Sequence, residues 1–172
     1  MQSEKAIKQL NDLLEHKRFI LISCNIMIDW LFSNGEDKLA IELVRRAIVH
    51  DNTKFHNDEI EYIIKLSEDN GNLTDPNYVM TEADKKCIEL HWRNNRHHPE
   101  HFKNINEMKE IDIIEMVCDW YARSLQLNTN FMEFVYTRQE NRFHFPEEMF
   151  KTILKYCNIL IGEDATKYGS KI

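Results

Sequence analysis

The residues best suited to chemistry in this chain are its histidines, together with a few aspartates. There are eight histidines, namely His16, His50, His56, His91, His97, His98, His101 and His144. His50 is followed directly by Asp51, at the end of a segment whose apolar residues recur at helical spacing. Imidazole and carboxylate together suit first-row divalent metals, and carboxylate-rich sites also suit Mg or Mn. The His50-Asp51 doublet is therefore a candidate pair of metal ligands, and an ordinary solvated helix end is the alternative.

Further candidate ligands lie on both sides of the doublet, at His16, His91, His97, His98 and Asp119. Asp119 stands in the apolar stretch MVCDW, where a buried carboxylate is costly unless it has a partner. Neighbouring residues on a helix point about 100° apart, so both members of the doublet can reach one ion only where the helix ends or packs closely against a neighbour. The metal site thus requires several helices to converge near the end of one of them.

The order of these residues is one His, then His-Asp, then His, then His-His, then Asp. This order resembles the binuclear branch of the HD-domain superfamily of metal-dependent phosphohydrolases, which is named for the doublet. The stretches HDNTKF, HWRNNRHHPEHF and EMVCDWYARS are also similar to a family of small phage and bacterial proteins of this type. The resemblance covers about residues 16–124, and it implies a single HD-domain-like helical bundle.

The resemblance also implies two divalent metal ions, with Mn, Fe, Ni, Co, Mg and Zn all left open. The first ion would be held by His16, His50, Asp51 and Asp119. The second would be held by His91 with His97, His98 or both, and Asp51 would bridge the two ions. Two such ions clamp a phosphate during in-line attack by water.

Residues around the ligands are candidates for contacting a phosphate. Guanidinium groups match phosphate oxygens, and the predicted substrate-binding residues are Lys54, Arg93, Asn94, Asn95, Arg96 and Arg123. Asp51, Lys54 and Glu115 are the candidate catalytic residues. Lys54 is a departure from the superfamily, whose members tend to carry an acidic helper near that position; a lysine favours phosphate contact. Glu59 is an alternative helper to Glu115, and Arg123 could instead neutralise Glu115 and Asp119.

We therefore predict a metal-dependent phosphohydrolase, with a nucleotide or another phosphate ester as its substrate. One alternative is an HD-type di-iron oxygenase resembling inositol oxygenase, and another is a non-catalytic protein that binds a metal or a nucleotide. The net charge of −7 argues against general nucleic-acid binding, and no apolar run approaches a membrane span. Four dispersed cysteines and a polar N-terminus without a signal peptide predict a cytoplasmic protein with reduced thiols. A homodimer is left open.

The elements that must position these residues are helices. Only 4 glycines and 3 prolines occur in 172 residues, which favours an all-α domain of six to seven helices. We expect one domain, 1–172, with a motif-bearing core at 16–124, C-terminal helices at 131–161 and a polar tail at 162–172. The predicted helices span about 3–32, 36–51, 57–66, 81–91, 105–127, 131–139 and 146–161, with a loop at 69–80.

Overall fold

A computed structural model of the chain describes residues 2–68 and 78–167. Within these ranges the chain forms seven α-helices and no strand, so the predicted all-α fold is confirmed. The helices are α1 (Gln2–Ser33), α2 (Asp37–Val49), α3 (Asn57–Glu68), α4 (Glu82–Asn94), α5 (Glu110–Leu127), α6 (Phe131–Arg138) and α7 (Glu147–Lys167). Short 3₁₀ turns lie at Asn52–Phe55, Pro99–His101 and Ile105–Glu107, and a π-helical turn at Gln139–Phe143 follows α6. Most of the predicted loop at 69–80 lies outside the described residues.

Two helix boundaries differ from the prediction by five residues or more. The fifth helix begins at Glu110 rather than near Ile105, because the Asn104 side chain accepts a hydrogen bond from the backbone of Asn106 at 3.0 Å and closes a separate turn. The Asp112 carboxylate then accepts from the backbone N–H of Lys109 at 2.9 Å and caps α5. The last helix continues past Ile161 to Lys167, so part of the predicted polar tail is helical.

The core is organised around α5, which packs against α1, α2, α6 and α7. Every residue of α5 from Ile111 to Cys118 is buried. α1 presents to the core a stripe at helical spacing, formed by Ile20, Cys24, Met27 and Leu31. Full burial of each such aliphatic side chain contributes about 1.5–3 kcal/mol. This packing holds α1, α2 and α5 in a fixed relation, and these helices with the residues directly after α2 carry four of the seven predicted ligands.

Three of the four cysteines, Cys24, Cys118 and Cys157, are buried and unpaired, as expected for small core residues. Burial raises the pKa of the Cys118 thiol well above its usual value, and the neighbouring Cys24 adds to this effect. None of the described helices combines the length and the apolar character that crossing a bilayer requires.

Candidate metal centre

The doublet lies where α2 ends. The helix stops at Val49, His50 has an extended backbone (ψ 127°), and Asp51 is left-handed (φ 55°). A left-handed backbone costs a non-glycine residue about 1–2 kcal/mol, and Asp and Asn tolerate it best. Lys17 of α1 stabilises the turn, because its Nζ donates to the His50 carbonyl at 2.7 Å and to Asn52 Oδ1 at 2.6 Å. The change of direction turns both side chains inward, and they are 2% and 5% exposed.

A first group of ligands forms between α1, the end of α2 and α5. His16 Nε2 lies 3.0 Å from Asp119 Oδ1, and His50 Nε2 lies 3.6 Å from the same oxygen. One potential ligand atom from each of these three residues lies within 4.8 Å of the other two. Asp51 Oδ2 lies 3.7 Å from His50 Nε2. The four residues predicted for the first ion are therefore brought together.

A second group forms between the doublet, α4 and the segment after α4. Asp51 Oδ1 lies 3.4 Å from the Nε2 atom of His91 and 3.4 Å from that of His97. His98 Nε2 lies 3.0 Å from His91 Nε2, so both histidines of the His97-His98 pair belong to this group. Asp51 lies between the two groups, because its Oδ1 atom faces the second group while its Oδ2 atom lies 3.7 Å from His50 Nε2 and accepts a hydrogen bond from Lys54 Nζ. The bridging role of Asp51 stays a prediction.

The spacing of these atoms fits a divalent cation. Two ligands that are each about 2.1 Å from an ion, at angles of 90–110°, are about 3.0–3.4 Å apart. His50 Nε2, Asp51 Oδ1 and His97 Nε2 are also buried without a hydrogen-bond partner. Buried polar atoms without partners are rare because each loses its hydration without compensation. A cation shared by these converging atoms would supply that compensation.

Carboxylates behind the imidazoles orient them. Glu115 Oε1 accepts a hydrogen bond from His50 Nδ1 at 3.0 Å and lies 3.5 Å from His97 Nδ1. Glu59 Oε2 accepts from His91 Nδ1 at 2.9 Å. With the proton held on Nδ1, each ring presents the lone pair of Nε2 to the centre, as in the carboxylate–histidine–metal arrangement of many metalloproteins.

Glu115 therefore has a different place from the one predicted for it. Its carboxylate faces the Nδ1 atoms rather than the space beyond the ligands, and its other oxygen accepts from Arg46 Nη1 at 3.0 Å. Burial raises the pKa of Glu115, but the hydrogen bonds from His50 and His97 outweigh burial and lower it. Glu115 is a positioning residue, and Arg46, which sequence reasoning missed, connects it to Asp112 at 2.7 Å.

The charges of the centre favour a cation. Burial lowers the pKa of His50, but the negative charge of Asp51 and the contacts with Asp119 and Glu115 raise it well above 6.5. Burial and the neighbouring imidazoles of His97 and His91 hold the pKa of His98 well below its usual value, so its ring is neutral and able to coordinate. Carboxylates that stabilise a proton on an imidazole also stabilise a metal ion that replaces it.

The second group opens onto a cavity of about 360 Å³. The ligands His91, His98 and Asp119 line it, as do Lys54 and Arg123, two of the predicted substrate-binding residues. Lys54 Nζ also donates a hydrogen bond to Asp51 Oδ2 at 2.5 Å, so Lys54 contacts a predicted metal ligand as well as the cavity. The volume is in the range of small-molecule binding sites.

The other predicted substrate-binding residues do not line this cavity; they are Arg93, Asn94, Asn95 and Arg96. Arg93 and Asn94 are exposed at the end of α4, where the chain turns. Asn95 is buried, and its Nδ2 donates to the His91 carbonyl at 2.8 Å, so it supports a ligand. Arg96 donates to Asp112 at 3.0 Å and 3.2 Å and ties the His97-His98 segment to α5.

Sequence reasoning missed two arginines of the cavity. Arg138, at the end of α6, and Arg142, in the π-helical turn, both line it beside the aromatic rings of Trp92 and Phe143. Their i, i+4 spacing was the available signal, since it places two side chains on one face of a helical segment.

Comparison with known proteins gives one match, to a family model that covers residues 5–159. The chain belongs to DUF5662. This family is described as one of unknown function. The region shared with DUF5662 contains both ligand groups and the arginines of the cavity. No curated protein and no solved structure matches the chain.

Proposed function

We propose that the chain is a metal-dependent phosphohydrolase of the HD type, which holds two divalent ions and acts on a nucleotide or another phosphate ester. The observation that carries the proposal is the position of Asp51 between two ligand groups, one of which opens onto a cavity with cationic side chains. The order of ligands that resembles the HD-domain superfamily supports the same proposal.

The residues of the ligand groups and those of the cavity would have separate roles in the reaction. Divalent ions held by these ligands would supply Lewis-acid polarisation of a phosphate and activation of water at neutral pH. Lys54 and Arg123 are placed to contact phosphate oxygens from the cavity side. Glu115 and Glu59 hold the imidazoles in the orientation that coordination needs.

Metal analysis followed by a substrate screen tests the proposal. The protein is purified without chelator, its metal content is measured, and phosphate monoesters, cyclic nucleotides and dinucleotides are screened with Mn, Co, Ni and Mg. His50→Ala and Asp51→Ala should lose metal and turnover together. His56→Ala is the matched control, because His56 is exposed and belongs to neither ligand group. A metal-free wild-type protein, or unchanged metal in His50→Ala and Asp51→Ala, contradicts the proposal.

One observation keeps an HD-type di-iron oxygenase as the second candidate. The carboxylates that line the cavity all have basic partners: Glu59 accepts from His91, Asp119 lies against His16, and Glu100 pairs with Arg142. Ester hydrolysis commonly uses a side chain that protonates the leaving group, whereas an oxygenase draws on iron and oxygen. Bound iron with oxygen consumption and no phosphate release would favour the oxygenase.

We also propose a cytoplasmic location. Cys24, Cys118 and Cys157 are buried thiols without disulfide partners, which a reducing compartment preserves.

A further inference from the structure

The cavity has a second cluster of charge, separate from the metal ligands. Arg138 and Arg142 are both cavity-lining residues, and they come from α6 and the turn that follows it. Burial lowers the pKa of Arg138, and the positive charge of Arg142 lowers it further. Arg138 is half-buried and the Arg142 side chain is 38% exposed, so Arg138 loses more of its hydration, and an anion in the cavity would offset that loss.

Aromatic rings hold both guanidinium groups in place. The Arg138 guanidinium lies 4.7 Å from the ring centre of Phe134. That of Arg142 lies 4.9 Å from the ring of Phe143 and 5.5 Å from that of Trp92. Such contacts restrict a flexible side chain before a ligand arrives, so less conformational entropy is lost when the ligand binds.

One nearby carboxylate, Glu100, neutralises half of the charge of this cluster. Glu100 pairs with Arg142, and it is the carboxylate that partly offsets the lowered pKa of Arg138. The other two cavity carboxylates, Glu59 and Asp119, are bonded to histidines. A local excess of positive charge in a chain of net charge −7 requires a specific explanation.

A buried hydroxyl gives an independent indication of a ligand. The Oη atom of Tyr62 is buried, has no hydrogen-bond partner and belongs to a residue that lines the same cavity. A phenolic hydroxyl left without a partner costs free energy that an acceptor oxygen in the cavity would recover.

We propose that Arg138 and Arg142 form a second anion-binding subsite, which holds a phosphate group of the substrate other than the one that reacts at the metal centre. The substrate class is therefore a small phosphate ester that carries two phosphate groups, such as a nucleoside bisphosphate. This inference rests on the proposed function for the reacting end of the substrate, whereas the arginine subsite itself is independent of metal.

Phosphate binding to the metal-free chain tests the subsite. The full chain is stripped with a chelator and dialysed, and inorganic phosphate is titrated while the ³¹P line width and shift are followed. Charge-assisted hydrogen bonds contribute enough that Arg138→Gln and Arg142→Gln should each weaken phosphate binding about 10- to 100-fold. Arg45→Gln is the control, since Arg45 lies on α2 with a side chain that is 74% exposed, and it should bind phosphate as the wild type does.

Two further variants guard against loss of folding. Arg138→Lys and Arg142→Lys keep the charge but lose the planar fork, so each should weaken phosphate binding less than its Gln counterpart. Circular dichroism confirms that every variant keeps the helical content of the wild type. The subsite is refuted if the wild-type chain binds no phosphate, or if the folded double variant with both arginines changed to Gln binds as tightly as the wild type.

The metal content separates this inference from the proposed function. Arg138→Gln and Arg142→Gln should retain wild-type metal, because neither side chain belongs to a ligand group. With metal restored, they should raise the KM for an ester with two phosphates more than for the monophosphate. An equal rise for both esters would contradict the substrate class. A wild-type chain that binds phosphate but no metal would retain the subsite and refute the phosphohydrolase.

Discussion

If the two ligand groups each hold an ion as proposed, replacing Glu59 with glutamine should weaken metal binding at the second group and leave the first group unaffected. Glu59 lies on α3, is 2% exposed, and accepts the Nδ1 proton of His91 at 2.9 Å. His91 belongs to the group with Asp51, His97 and His98, whereas the group of His16, His50 and Asp119 does not include it. The change therefore acts on the second group alone.

The loss of metal affinity can be calculated from the hydrogen bond that glutamine can still accept from His91. A hydrogen bond to a charged group contributes about 1.5–3 kcal/mol and a neutral one about 0.5–1.5 kcal/mol, so the loss is about 1–1.5 kcal/mol, or roughly tenfold in affinity. If the amide instead donates to Nδ1, the proton moves to Nε2 and blocks coordination, and the loss grows toward the roughly 100-fold limit for such partners of ligating histidines. We expect the second ion to bind about 10- to 100-fold more weakly in Glu59→Gln.

Titration calorimetry of the chelator-treated chain with Mn²⁺ measures both affinities. Glu61→Gln is the matched control, because Glu61 is on the same helix and exposed, and it should leave both affinities unchanged. Equal weakening of the two ions in Glu59→Gln, or no weakening of either, would refute the assignment of His91 to a separate second group.

Three other perturbations give distinct results. Asp112→Asn should lower the free energy of unfolding by about 1.5–3 kcal/mol, because the buried carboxylate loses its charge-assisted hydrogen bonds with Arg46 and Arg96, whereas Arg46 keeps Glu115 as a partner and Arg96 is 42% exposed. Urea denaturation beside the exposed control Glu89→Gln measures this, and a loss below 1 kcal/mol would contradict it. Chelation should lower the Tm by about 5–10 °C, because an ion present at about 100 times its Kd stabilises the fold by about 2.7 kcal/mol. In His50→Ala the Tm should be the same with and without chelator. An identical Tm for the wild-type chain in both conditions would exclude a stabilising ion. The metal-free chain should be most stable near pH 6.5. Burial and the neighbouring imidazoles lower the pKa of His98, so stability is lost as pH falls below the unfolded value of 6.5, at which the unfolded histidine takes up a proton. The raised pKa of His50 gives stabilisation that is complete below pH 6.5 and lost as pH rises, so a maximum well above pH 7 would contradict this sign.

Much of the fold follows from local sequence. Helix type and number depend on apolar periodicity and on scarce glycine and proline, which act over a few residues and can be read directly. The start of α5 could not be predicted, because Asn104 closes a separate turn through the backbone N–H of Asn106 and Asp112 caps the helix through that of Lys109. The position of the Asp112 carboxylate also depends on hydrogen bonds from Arg46 and Arg96, which are distant in sequence or outside the helix.

The candidate site, like the fold, was predictable from the sequence only in part. Sequence alone identified the residues that could coordinate, because imidazole and carboxylate side chains in a recognisable order limit the chemistry. Tertiary structure decided which of the nearby polar residues face the centre. Glu115, predicted as a catalytic residue, and Arg96, predicted as a substrate contact, instead support the ligands. Arg138 and Arg142 line the cavity. Sequence could not show either, because the direction of a side chain depends on packing between helices that are distant in sequence.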